Sequence, residues 1–161
     1  MKTDRRTLMA GAGAALALPS LAEARMNVGT RAWYEAYVAA FNARDYPRFS
    51  AYYAPDVQFF GQAATLQGAE AIVAFYRGVH ARIDERVDVL SFVGGGPTRF
   101  MAEIRTTLVA REDWPDFPTG PFTRGEQRQS INFAFYHLAD GRFTRIRSAR
   151  FSPLPNRPSR G

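Results

Sequence analysis

Apolar and polar residues recur along this chain with two different periods, and the change of period divides it. Residues 34–45, YEAYVAAFNARD, place Ala36, Tyr37, Ala40 and Phe41 at i, i+1, i+4 and i+5. Residues 68–79, GAEAIVAFYRGV, place Ile72, Phe75, Tyr76 and Val79 at i, i+3, i+4 and i+7. Both stripes repeat near 3.6 residues, so they predict amphipathic helices over 30–44 and from Gly68 to about Ile83. Pro47 is expected to open a short helix that Pro55 stops after Ala54. Elsewhere the period is two. Arg99 to Arg111 carries Phe100, Ala102, Ile104, Thr106 and Leu108 on one face, the pattern of a half-buried strand. Further strands are expected over 57–61, 87–93, 126–138 and 142–152, with Asp140-Gly141 as a hairpin turn. Helices gathered first and antiparallel strands later predict an α+β fold, its sheet curled around the helices to leave a cone-shaped pocket.

The ends of the chain read differently. Lys2, Arg5 and Arg6 precede a mild apolar run from Leu8 to Leu18, then Pro19 and a small-x-small site at Ala22-Glu23-Ala24. This layout predicts that residues 1–24 are an export signal, and the paired arginines suggest the twin-arginine route, with a periplasmic or secreted product. The run is too short to span a bilayer, which needs about 20 apolar residues, so no stable membrane insertion is expected after cleavage. The tail, 153–161, holds three prolines and no apolar period, and is expected to be disordered. Residues 28–152 remain as one domain.

Charge and composition narrow the chemistry. The 161 residues carry a formal net charge of +6, and Lys2 is the only lysine. The arginines are scattered without a basic run of five, which predicts a solvated surface and no nucleic-acid partner. The absence of cysteine excludes disulfides, thiol catalysis and thiolate metal sites. The two histidines, His80 and His137, have no metal-ligand spacing, so neither a metal nor another cofactor is expected.

The candidate site residues are polar or aromatic groups on apolar faces. Tyr37 either donates a hydrogen bond to a developing oxyanion or is a core tyrosine bonded to a neighbour. His80, one turn after Tyr76, is either a general base or a surface or cap residue at the helix end. Phe41, Tyr53, Phe59, Phe75, Tyr76, Ile104, Phe133 and Ile146 are expected to line the pocket, with Arg150 at its mouth as a fork for an anionic group. Trp114, Phe117 and Phe122 form either a flap over the pocket or a hydrophobic plug. The outer face of the sheet, carrying Met101, Arg105, Arg128, Ser130 and Tyr136, is expected to pair two copies as a homodimer.

The helix-one pattern YVAAFNARD, Tyr53-Ala54-x-Asp56 before the first strand, Gly68 opening the third helix, and Asp140-Gly141-Arg142-Phe143 in the last hairpin together resemble the nuclear transport factor 2-like fold. Within it, SnoaL-like and ketosteroid-isomerase-like proteins are the most similar. The resemblance implies a cone-shaped α+β barrel, with three amino-terminal helices packed on a strongly curved, mainly antiparallel sheet. It places Tyr37 at the oxyanion-hole tyrosine of the isomerases. Where those enzymes carry their aspartate base, this chain has Phe59-Phe60-Gly61-Gln62, with no carboxylate. Where they carry a protonated aspartate, it has Asn132 or Phe133, and Asn132 could still donate. The implied function is a pocket for a small apolar or weakly anionic molecule. It would serve a metal-independent isomerase, cyclase, dehydratase or hydrolase, or else a non-catalytic binding module.

Overall fold

The computed structural model describes residues 28–154; the expected export signal and residues 155–161 lie outside them. Helix α1 (Arg31–Asn42) starts at Thr30, whose hydroxyl accepts from the Trp33 N–H at 3.3 Å. Helix α2 (Tyr46–Ser50) is capped by Asp45 and opened by Pro47. Strands β1 (Tyr53–Phe60) and β2 (Thr65–Gln67) follow, then helix α3 (Ala69–Arg82). Four long strands complete the fold: β3 (Ile83–Gly94), β4 (Arg99–Ala110), β5 (Gln127–Ala139) and β6 (Arg142–Leu154).

The strands form one sheet in the order β2-β1-β6-β5-β4-β3. Only β1 and β6 run parallel; every other pair is antiparallel. This is the expected α+β class: a curved, mostly antiparallel sheet with helices on its inner face. The core there is aromatic, with Phe49, Val57, Ile72 and Phe143 fully buried.

Several boundaries differ from expectation. Helix α2 stops at Ser50 because the chain is already extended by Tyr53, and the Tyr52 carbonyl accepts from the Phe143 N–H at 2.7 Å. Pro55 therefore ends no helix. It lies inside β1, where the β1–β6 register is interrupted between Tyr53 and Gln58, and its missing N–H costs no ladder bond. Strand β3 begins at Ile83, directly from α3, and β6 runs to Leu154, two residues into the expected tail.

The face of β5 also needs correction. Asn132, Ala134, Tyr136 and Leu138 are buried on the inner side, whereas Phe133 is 40% exposed on the outer side, with its ring 5.1 Å from Phe151. Phe133 therefore cannot line a pocket, and Ser130 and Tyr136 do not belong to the outer face. Phe133-Ala134-Phe135-Tyr136 has aromatics in both phases of a period-two strand, so hydrophobicity does not choose between them.

The 112–124 segment folds as a plug. Trp114 and Phe122 bridge each other, and Phe117 and Phe122 are buried with Val79, Ile83 and Ala110. The Arg128 guanidinium lies 3.7 Å from the Phe122 ring centroid and donates to the Gly120 and Pro121 carbonyls.

At the same end of the molecule, Asp84 accepts from both Arg111 and Arg44. The Arg111 hydrogen bond, then the Arg44 one, hold the Asp84 carboxyl down to about 2 against the opposing effect of burial. A depressed carboxylate contributes stability above its unfolded-state value, about 3.9, and loses it as pH falls through the folded-state value. The Asp84 side chain is 52% exposed, so solvent screening limits the contribution to no more than about 1 kcal/mol. Asp84→Asn is expected to lower the urea midpoint slightly at pH 7, with the gap to wild type closing between pH 4 and pH 2.

Candidate active site

A cavity of about 160 Å³ lies between α1, α3, the end of β1 and the inner face of strands β3 to β6, with Phe117 and Thr119 of the plug completing its wall. Its apolar lining includes Phe41, Phe59, Phe75, Ile104 and Ile146. Each arrives by the periodicity of its own element. Phe41 ends the α1 stripe, Phe75 lies on the α3 stripe, and Ile104 sits on the apolar face of β4.

Four tyrosines join this wall: Tyr34, Tyr37, Tyr76 and Tyr136. Tyr53 is buried behind it rather than in it, a correction to its expected place, because its hydroxyl is turned to Tyr37 at 2.8 Å. Tyr34 and Tyr136 form a second pair at 2.6 Å. A phenol has one proton to donate, so a pair sharing one hydrogen bond keeps one proton unused. Among the described residues these four hydroxyls make no further bond within the protein, so each pair can offer one donor to a ligand. Burial pushes all the pocket phenols well above the ordinary range. They are held neutral, as hydrogen-bond donors rather than as bases.

The polar end of the cavity centres on Asn132, which is buried on β5. Its Oδ1 accepts from the Gln62 amide at 2.6 Å, and its Nδ2 donates to Thr106 Oγ1 at 3.1 Å and to Ser130 Oγ at 3.0 Å. Both ends of the amide are thus occupied. Arg150, opposite Asn132 in the β5–β6 register, lies in the wall and is exposed at the mouth.

The carboxylate missing from β1 has a counterpart elsewhere. Glu85 projects from β3 into the cavity wall, its side chain 12% exposed. Its negative charge adds to the burial that raises the Tyr76 and Tyr37 phenols, which places it electrostatically among them. Sequence reasoning missed Glu85, Tyr34 and Tyr136. A signal for Glu85 was present. Ile83, Glu85 and Val87 alternate on one face, and both neighbours are buried, so the glutamate occupies a core phase.

His80 is not in the cavity wall, which corrects its placement as a residue facing the ligand directly. It is 3% exposed, one layer behind Glu85, between the rings of Phe41, Tyr46 and Tyr76. Its Nδ1 is 3.1 Å from the Tyr46 hydroxyl, and its Nε2 is 3.5 Å from Glu85 Oε2. Among the described residues no three His, Asp or Glu side chains gather where they could share a metal ion.

A curved, mostly antiparallel sheet with helices on its inner face, around a tyrosine-rich cavity, defines an α+β domain. The model of the SnoaL-like domain matches residues 34–146, so the chain belongs to that family, within the nuclear transport factor 2-like fold. No curated protein matches it. Among solved structures, it is similar to a candidate polyketide cyclase from Xanthomonas campestris pv. campestris. That likeness has 23% identity and a TM-score of 0.65, covering 78% of this chain and 90% of that one. A second candidate polyketide cyclase, from Pseudomonas putida KT2440, is 25% identical with a TM-score of 0.62, covering 72% and 86%. An epoxide hydrolase from M. tuberculosis is 17% identical with a TM-score of 0.58, covering 82% and 85%. These likenesses establish the fold.

Proposed function

We propose that this domain is an acid–base enzyme for a small, largely apolar carbonyl compound, of the isomerase or cyclase kind. One observation carries the reading: a carboxylate, Glu85, shares an aromatic cavity wall with neutral tyrosine donors. In the proposed step a Glu85 oxygen accepts the proton from a carbon next to the carbonyl. The C–H bond breaks, its electron pair forms the carbon–carbon double bond of an enolate while the carbonyl π pair moves onto oxygen, and the spare proton of a tyrosine pair hydrogen-bonds the resulting oxyanion. Arg150, exposed at the mouth, would receive a second polar or weakly anionic group, while Asn132 is held by its own partners. The two structural relatives described as candidate polyketide cyclases fit carbonyl chemistry of this kind.

The reading is tested by the exchange of α-protons of a small benzo-fused ketone, 2-tetralone, in D2O, followed by proton NMR. Exchange faster than buffer alone supports it; binding without faster exchange sinks it. A second reading, a non-catalytic binding module, is favoured by the internal pairing of the tyrosine hydroxyls, and binding without exchange would establish it.

The same proposal includes self-association and export. Phe133, Phe151 and Met101 are 40%, 68% and 42% exposed, an unusual concentration of large apolar groups on a sheet face. This supports a homodimer through the outer face, where Phe133 and Phe151 join the expected Met101 and replace Ser130 and Tyr136. Phe133→Glu should convert a dimer to a monomer by sedimentation at micromolar concentration, and a wild-type protein already monomeric there would refute the dimer. Export through residues 1–24 rests on the sequence. Mass spectrometry of protein from its native host should show a terminus at Arg25, and an intact Met1 would refute it.

A further inference from the structure

His80 is the one buried side chain among the described residues with a nitrogen left without a hydrogen-bond partner, its Nε2. That atom is aimed at the Glu85 carboxylate, 3.5 Å away, which in turn forms part of the cavity wall. The geometry points to a Tyr46–His80–Glu85 relay, in which His80 is a positioning residue. Tyr46 donates to Nδ1, the imidazole proton is thereby fixed on Nε2, and that proton holds the inner oxygen of Glu85 so that the other oxygen serves the ligand. The inference rests on the reading of Glu85 as the base.

The tautomer follows from elimination. A neutral imidazole has one N–H and one bare nitrogen. If the proton were on Nδ1, it would point at the Tyr46 oxygen, and the bare Nε2 lone pair would face a carboxylate oxygen inside the core. With the proton on Nε2, Tyr46 supplies its hydroxyl proton to Nδ1, and Nε2–H faces Glu85. Only the second arrangement gives both nitrogens a complementary neighbour. If His80 is protonated, Nε2–H still faces Glu85, so the direction of the contact is kept.

The surroundings set His80 apart from bulk water. Phe41 meets the ring edge-on and Tyr76 lies tilted against it, at 5.2 and 5.6 Å between centroids. The Arg77 guanidinium lies over the outer face of Tyr46, at 4.2 Å. A cation on that face polarises the phenol toward giving its proton to Nδ1. The charged and titratable groups around His80 are therefore Tyr46 and Arg77 from the α2–α3 side, Tyr76 from α3 itself, and Glu85 from β3. The histidine, carried by α3, is a link between an outer phenol on α2 and an inner carboxylate on β3.

The test reads the tautomer directly, with no ligand present. In 15N-labelled protein at neutral to mildly alkaline pH, two-bond proton–nitrogen correlation identifies which ring nitrogen of His80 is protonated. The relay predicts Nε2–H in at least tenfold excess. Tyr46→Phe, which removes only a hydroxyl from a half-buried ring, should reduce that excess severalfold, and Glu85→Gln should do so independently. A packing role for His80 would leave the ratio unmoved in both variants. A wild-type proton on Nδ1, or a ratio indifferent to both substitutions, overturns the relay. Because no ligand is involved, a failed relay leaves the carbonyl reading of the cavity intact. A cavity inactive toward 2-tetralone likewise leaves the tautomer result standing.

Discussion

Glu85→Gln is expected to slow enzyme-dependent α-proton exchange of 2-tetralone by about 10²–10⁴-fold, the usual contribution of a positioned general base. The substitution keeps the shape of the side chain and its capacity to accept a hydrogen bond, and removes the basic oxygen. Glu85 lies on a wall position of β3 flanked by buried Ile83 and Val87, so the strand itself holds it in place. Stability should therefore change little, as the urea midpoint measured alongside the exchange rate will check. Exchange equal to wild type in the folded variant would remove Glu85 from the chemistry and return the cavity to a binding role.

Tyr37→Phe carries the second large effect, and here two consequences are expected together. The Tyr37 hydroxyl is bonded to Tyr53 inside the core, so its removal leaves a buried Tyr53 hydroxyl without its partner. Leaving a buried polar group unsatisfied costs about 1–3 kcal/mol. Exchange of the ketone proton should also fall, because the pair loses the donor it holds in reserve for a ligand oxyanion. Tyr53→Phe separates the two effects. It should cost similar stability, yet leave Tyr37 in the wall with its proton free to donate. A Tyr53→Phe protein as slow as Tyr37→Phe would show that the pair acts only through packing. The double variant should cost less stability than the sum of the singles, since neither hydroxyl is then left alone.

The fold was legible because its signals agree at several levels. The α1 and α3 stripes, the clean alternation of β4 and the Asp140-Gly141 turn each specify one arrangement, and all four are found. Legibility failed where one-dimensional patterns are degenerate. Around Phe133 both phases of β5 are aromatic, and burial goes to the phase containing Asn132 because its amide finds Gln62, Thr106 and Ser130 there. Partners distant in sequence made that choice, and no local window contains them. Pro55 misled for a related reason: it reads as a helix stop, yet a register interruption in β1 accommodates it.

The site shows the same limit. Phe41, Phe75 and Tyr37 could be placed from helical period alone. Tyr34 and Tyr136 stand 102 positions apart in the chain, and only the tertiary fold brings their hydroxyls together. Glu85 looked like part of a charged run, Asp84-Glu85-Arg86, and only its strand phase separates it from its neighbours. Asp84 and Arg86 are exposed and engage surface partners, while Glu85 turns inward. The base sought at the end of β1 is absent there, and β3 presents a carboxylate to the same cavity.

The most direct measurement is a crystal structure of the protein with 2-tetralone bound. The account predicts the ketone inside the aromatic cavity, its carbonyl oxygen about 2.7–3.1 Å from a hydroxyl of the Tyr37–Tyr53 or Tyr34–Tyr136 pair, with an α-carbon facing Glu85. A ketone bound with its carbonyl turned away from every tyrosine and its α-carbons away from Glu85, or found only on the outer face of the sheet, would contradict it.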